Sequence, residues 1–236
     1  MPRLCLTRHG QSEWNLQNRF TGWVDVDLTP TGEEEAIRGG KLLKEAGFKP
    51  AYAFTSVQTR AIRTLNYALE GMGMLWLPVT KDWRLNERHY GGLTGLDKAE
   101  TAEKHGDEQV HIWRRSYDVP PPPIEDAAKY PSLVDERYKG IETPATESLK
   151  TTLDRVAPYW ESDIAPKLKH GDVIISAHGN SLRALVKLLF NVADDEITQV
   201  EIPTGNPLMI ELDDNLKVVS AHYLDEKRAS PLPEIK

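Results

Sequence analysis

The chain has 236 residues, with 29 Lys and Arg against 36 Asp and Glu, for a formal charge of −7. With 28% charged and 39% hydrophobic residues it has the composition of a globular chain with a sizeable core, which excludes wholesale disorder. The acidic balance argues against a broad basic face and predicts no nucleic-acid partner, but it leaves room for a local basic pocket around a small anion. The lone Cys5 permits no internal disulfide. Apolar runs at 173–175 and 185–190 fall far short of the ~20 residues of a membrane helix. Arg3, Thr7, Arg8 and His9 interrupt the place of a leader's apolar region. A soluble cytoplasmic protein without a membrane partner is expected.

In chain order, residues 3–8 (RLCLTR) alternate apolar and polar and predict a short strand ended by His9-Gly10. Thr29 as N-cap, Pro30 in the first turn and the acidic Glu33-Glu34-Glu35 predict a helix whose apolar face is Ala36, Leu42, Leu43 and Ala46, closed by Gly47. A second strand follows at 51–55, a helix at about 58–69 and a third strand at 76–80. Residues 99–116 read as helix broken at Gly106, and 146–164 as helix kinked or bounded by Pro158. DVIISA at 172–177 predicts a buried strand, with a helix at 181–190. Segments 209–212 and 217–221 flank Asp213-Asp214-Asn215 as a hairpin. Alternating strands and helices predict an α/β fold, a three-layer α/β/α sandwich around a mainly parallel sheet, as one domain over 1–224. The stretch 117–148, with Pro120 to Pro123, is too long for a passive connection and reads as a lid or insertion, or as a mobile surface loop. Residues 225–236, with Pro231 and Pro233, read as a poorly ordered polar tail.

The chemistry concentrates where two strands end alike, in LCLTRHG at 4–10 and VIISAHG at 173–179. In open α/β sheets ligands sit beyond the carboxyl ends of strands, so adjacent parallel strands would deliver His9 and His178 to one reacting atom. The following glycines, Gly10 and Gly179, permit a tight turn and leave N–H groups for an anion. A metal site is the other use of such histidines, but no third ligand has a recognisable spacing, so no metal is expected. Arg8, Arg60, Arg88, Arg114 and Arg115 stand at element ends, where guanidinium groups suit phosphate and carboxylate. Glu87 is a candidate acid/base, or else an ion-pair partner of Arg84 or Arg88.

The segments RHGQSEWN (8–15), FTGW (20–23), TSVQTR (55–60), ERHYGGL (87–93), KAE (98–100), WRRSYDVPPPP (113–123) and AHGN (177–180) occur in that order. Together they resemble the cofactor-dependent phosphoglycerate mutases of the histidine phosphatase superfamily, over nearly the whole chain. The resemblance implies that His9 becomes phosphorylated and that Glu87 donates and accepts the proton. It implies that Arg8, Arg60 and a protonated His178 surround the phosphoryl group. Gly10, Gln11, Ser12, Glu13, Trp14, Asn15, Thr21, Gly22, Gly179 and Asn180 would contact the phosphate side, and Arg88, His89, Tyr90, Lys98, Arg114 and Arg115 the rest of the substrate. It further implies 2,3-bisphosphoglycerate as priming donor and intermediate, 3- and 2-phosphoglycerate as small-molecule partners, a place in glycolysis and gluconeogenesis, and a homo-oligomer, dimer or tetramer. Rival readings are a phosphohydrolase or a bisphosphoglycerate synthase on the same fold, or a non-catalytic binding protein. The last would be favoured by loss of His9, Glu87 or His178, and all are present.

Overall fold

The computed structural model describes residues 1–125 and 135–235. In chain order these form β1 (Arg3–Arg8), α1 (Glu13–Leu16), α2 (Pro30–Glu45), β2 (Tyr52–Thr55), α3 (Thr59–Met72), β3 (Val79–Lys81), α4 (Lys98–His105) and α5 (Asp107–Arg115). There follow α6 (Leu149–Tyr159), α7 (Ala165–Leu168), β4 (Val173–Ala177), α8 (Gly179–Leu189), β5 (Leu208–Leu212) and β6 (Val218–Tyr223). The sheet order is β3-β2-β4-β1-β5-β6. The pairs β3–β2, β2–β4 and β4–β1 are parallel, and the β5–β6 hairpin closes the sheet antiparallel to β1.

Strand periodicity sorts the core into layers. Leu4 and Leu6 of β1, with Val173 and Ile175 of β4, pack with Leu149 and Val156 of α6 and Leu182 and Leu185 of α8. Cys5 and Ile174 point to the opposite face, among Leu43 of α2 and Leu65, Ala68 and Leu69 of α3. DVIISA reads as uniformly apolar because β4 lies between β1 and β2 and is covered on both faces. Register places Arg8 beside Ala177, so both strand ends open at the same edge.

Local signals explain the boundaries. Thr29 Oγ1 accepts the Gly32 N–H at 3.1 Å and starts α2. A Cβ on Gly10 would lie 2.1 Å from the Gly32 carbonyl oxygen, and one on Gly32 would lie 2.0 Å from that of Gln11. The loop after β1 therefore touches the start of α2 backbone to backbone, which only glycine allows. Gly106 separates α4 from α5 as expected. Pro158 lies inside α6, and a π turn over Trp160–Ile164 follows the break it makes in the hydrogen-bond ladder. β3 starts three residues later than the sequence predicts, because Pro78 cannot donate to the ladder.

One expectation is corrected. The tail is not loose over residues 225–235: the Arg228 guanidinium donates to Glu35 Oε1 at 2.6 Å, Asn206 and Asp225 exchange hydrogen bonds, and Leu232 packs on the core. Its polar residues looked solvated because their partners are remote in sequence. The described limbs of 117–148 are held to each other and to the domain. Ile124 donates to the Ala145 carbonyl at 3.0 Å and Thr146 Oγ1 to that of Pro121 at 2.8 Å, while the Tyr138 ring lies 4.7 Å from that of Trp23. What was expected of residues 126–134 lies outside the described part. Among the described residues no helix is long and apolar enough to cross a membrane.

Candidate active site

At the β1 and β4 ends a polar cleft opens, lined by side chains from distant parts of the sequence. The backbone N–H of His9 donates to the Ala177 carbonyl at 3.0 Å, which fixes the two strand ends together. The His9 and His178 rings stand 5.0 Å apart. His9 Nδ1 is 2.7 Å from the Gly10 carbonyl oxygen. A carbonyl only accepts, so Nδ1 carries the proton and Nε2 keeps its lone pair. Arg60 Nε donates to that Nε2 at 3.3 Å. Burial, with Arg60 and Arg8 adding repulsion, holds the His9 imidazole well below its ordinary pKa and therefore neutral.

His178 is the more enclosed of the two. Its ring is fully buried, Nε2 is 2.7 Å from Ser56 Oγ, and among the described residues Nδ1 has no hydrogen-bond partner. Burial, then the Arg60 charge, pushes its pKa well down. Arg60 and Arg8 bring guanidinium groups to the cleft beside the two rings. Arg60 is buried and also donates to the Val24 carbonyl at 3.0 Å and the Gly22 carbonyl at 2.9 Å. Arg8 donates through Nη1 to the Ile202 carbonyl at 2.9 Å and leaves Nε without a partner among the described residues.

Glu87 closes the cleft from the segment after β3. Its Oε1 accepts the N–H groups of Arg88 at 2.7 Å and Asn180 at 3.2 Å. Oε2 lies beside Gly179, where a Cβ would approach it to 3.7 Å. Arg84 pairs with Asp82 at 2.7 Å rather than with Glu87. The sequence reading missed Gln58, whose amide donates to the Gly22 carbonyl at 2.9 Å and accepts the Glu87 N–H at 2.8 Å.

On the far side, Tyr90 Oη accepts from Asn180 Nδ2 at 3.2 Å, and Lys98, Arg114 and Arg115 come from the start of α4 and the end of α5. Burial lowers the Lys98 ammonium from its ordinary pKa, with Arg114 and Arg8 adding to it. Asn15, Thr21, Gly22 and Gly179 line the cleft as well. Gly10, Gln11, Ser12, Glu13, Trp14, Arg88 and His89 stand behind the lining instead. The Gly10 N–H is taken by Thr64 Oγ1 at 3.1 Å and the Gln11 N–H by Glu35 Oε2 at 2.8 Å, so neither amide is left for an anion. Ser12 caps α1, and the Trp14 ring lies under Arg19. Arg88 is fully buried, donates to the Arg114 carbonyl at 3.1 Å and lies over the Tyr90 ring. His89 Nδ1 accepts the Gly91 N–H.

Arg19, Phe20, Arg183, Glu201 and Ile202 line the cleft without having been read as site residues. Arg183 donates to Asn180 Oδ1 at 2.9 Å and to the carbonyls of Arg115 and Ile197. An arginine amid the apolar run 182–190 was its signal. The lining thus sets Arg8, Arg19, Arg60, Lys98, Arg114, Arg115 and Arg183 against Glu87 and Glu201, a strongly cationic pocket in an acidic chain. Among the described residues no group of three or more His, Cys, Asp and Glu side chains is placed to hold a metal ion.

Residues 4–130 and 123–224 match the histidine phosphatase superfamily, branch 1. The chain is 66% identical, over all 236 residues and the full length of the relative, to the 2,3-bisphosphoglycerate-dependent phosphoglycerate mutase of Caulobacter sp. (strain K31). It is 65% identical, again over the full length of both, to the protein of that name from Hyphomonas neptunium. Among solved structures, Bacillus stearothermophilus YhfR superposes with a TM-score of 0.71 at 24% identity, over 98% of each chain. A mycobacterial glucosyl-3-phosphoglycerate phosphatase superposes with 0.69 at 21% identity, over 94% of this chain and 97% of that one. These two likenesses concern the fold alone.

Proposed function

Since the chain belongs to the 2,3-bisphosphoglycerate-dependent phosphoglycerate mutases of the histidine phosphatase superfamily, we propose that it interconverts 3-phosphoglycerate and 2-phosphoglycerate with His9 as the phosphoryl carrier. One observation carries this reading: Nδ1 of a buried, neutral His9 is pinned to the Gly10 carbonyl, which leaves Nε2 as a nucleophile aimed beside Arg60. Moving a phosphoryl group between neighbouring hydroxyls is awkward in one step, and a carrier divides it into in-line transfers. Once loaded, His9 gives its phosphoryl group from Nε2 to the free hydroxyl of the monophosphate, and Nε2 then takes back the phosphoryl group of the neighbouring oxygen, which leaves with a proton. Arg8 and Arg60 neutralise the charge on the transferring oxygens, with Arg60 already docked and little left to reorganise. Glu87 takes the proton of the accepting hydroxyl and returns one to the leaving oxygen, through the carboxylate oxygen beside Gly179.

The priming group fits the residues present. The seven cations of the lining match a ligand with two phosphates and a carboxylate, and Arg8 Nε is a buried donor still without a partner among the described residues. 2,3-Bisphosphoglycerate, when bound, supplies the phosphoryl group that first loads His9. Arg8 and Arg60 would hold one phosphate, and Lys98, Arg114 and Arg115 the carboxylate and the second phosphate. No step in this route uses a metal ion. The lone buried Cys5 suits a reducing cytoplasm, where glycolysis and gluconeogenesis operate, and we read the active form as a homo-oligomer.

The test is a coupled mutase assay with and without 2,3-bisphosphoglycerate, in the presence of EDTA. Turnover that requires the bisphosphate and survives the chelator is the expected result. Chelator-sensitive turnover restored by manganese, or release of phosphate with no 2-phosphoglycerate formed, would overturn the reading.

A further inference from the structure

Glu87 must reach the reacting oxygens from a backbone that is neither helix nor strand, since residues 86–90 follow a single 3-10 turn at Trp83–Leu85. The groups that hold this stretch come from outside the cleft. Arg155 of α6 donates through Nη1 to the carbonyls of Arg84 at 2.7 Å and Asn86 at 3.1 Å. Its Nη2 donates to the carbonyls of Asn86 at 3.1 Å and Glu87 at 3.0 Å. Glu147, at the end of the proline-rich insertion, holds the guanidinium by its free edge, with Nε to Oε1 at 2.7 Å and Nη2 to Oε2 at 2.9 Å. The same Oε2 accepts the His89 N–H at 2.8 Å, and the Glu147 N–H donates to the His89 carbonyl at 2.9 Å. Trp23 Nε1 completes the frame with a 2.7 Å bond to the Glu87 carbonyl.

The Arg155 and Glu147 side chains are only 8% and 4% exposed, and neither lines the cleft. A buried ion pair is a poor way to gain stability, because desolvation offsets most of the attraction. A planar fork of donors is, however, a good way to satisfy and fix several buried carbonyls at once. Here its backbone contacts fall on the residues before and at the acid, while its partner Glu147 holds His89 after it. We infer that Arg155, oriented by Glu147, is a positioning residue for Glu87 and sets how far its carboxyl stands from the reacting oxygens. The inference rests on the proposed role of Glu87 and extends it to a pair outside the cleft. It also gives the insertion a task, since its return limb supplies Glu147.

The test is a double-mutant cycle on mutase turnover with Arg155→Lys, which keeps the charge and loses the fork. A misplaced reacting group costs about 10²-fold, so kcat should fall on that order while KM changes by less than about threefold. If Arg155 acts through Glu87, the Arg155→Lys/Glu87→Gln protein should be no slower than Glu87→Gln alone, within about twofold. Losses that multiply in the double variant, or an unchanged kcat in Arg155→Lys, would overturn the inference. Should Arg155→Lys unfold, Glu147→Gln, which preserves shape, enters the same cycle. If both lose cooperative thermal unfolding, the pair is a structural strut and the inference falls. A wild-type protein without bisphosphate-dependent turnover would defeat the underlying reading instead, so the two failures are distinguishable.

Discussion

At the sheet end of the cleft, His9, Arg60 and His178 are at most 2% exposed and are tied to strand ends or to the start of α3. At the opposite rim Lys98, Arg114 and Arg115 are half-buried on the short helices α4 and α5. Those helices rest on the small cluster of Phe20, Leu93 and Val110 rather than on the main core. The comparison separates two demands on one pocket. Phosphoryl transfer needs charges that are already in place when the reaction begins. Under the proposed function, the long side chains of the rim would hold the molecule as it turns between the two transfers.

Removing the carrier should break the comparison outright. His9→Ala should lose both turnover and acid-labile labelling by bisphosphoglycerate, whereas rim variants should keep the label. Phosphoamino-acid analysis after incubation with labelled bisphosphate decides this, and label retained in His9→Ala would move the carrier elsewhere.

The rim should show a different kind of loss. Arg114→Ala removes a charge-assisted contact and should weaken ground-state binding by about 1.5–3 kcal/mol. His9 should still be phosphorylated, but the bisphosphorylated molecule should escape before the second transfer. In a single turnover of phosphorylated enzyme, the ratio of released bisphosphoglycerate to 2-phosphoglycerate should rise. An unchanged ratio with normal affinity would make Arg114 an ordinary surface arginine.

The buried half also carries a pH signature. His9 and His178 are held neutral well below the ordinary histidine value by burial and by Arg60, and burial pushes His89 down to about 4. The unfolded chain takes up these protons below about pH 6.5 and the folded one does not, so stability is full above that value and falls as the pH drops. Each group contributes a slope of up to about 1.4 kcal/mol per pH unit. Urea unfolding at pH 7.5 and 5.5 measures it, and His178→Asn should flatten the dependence. The smallest expected effect is at the tail: Arg228→Ala should cost about 1 kcal/mol, read as a modest drop in Tm.

Legibility in the sequence follows the same division. The paired strand ends, the Thr29 cap and the break at Gly106 are local patterns, and the structure repeats them. Lys98, Arg114 and Arg115 stand out through motif resemblance. Gln58, Arg155 and Glu147 do not, because their meaning lies in carbonyls and amides contributed by residues dozens of positions away. In the same way a sequence shows the His178 imidazole but not the burial and the neighbouring Arg60 that push its pKa down.

The place of β1 in the sheet sets a timetable for synthesis. It leaves the ribosome well before its partners, β4 at Val173–Ala177 and β5 at Leu208–Leu212. Until those segments emerge, the hydrogen bond from His9 to the Ala177 carbonyl does not exist and the apolar edge of Leu4, Cys5 and Leu6 has nothing to lie against. Non-local pairing of this kind is slow and leaves a nascent chain exposed to aggregation. His9 is thus translated long before its setting is assembled, so a product truncated before β4 holds the RHG motif but lacks the strands that turn it into a site.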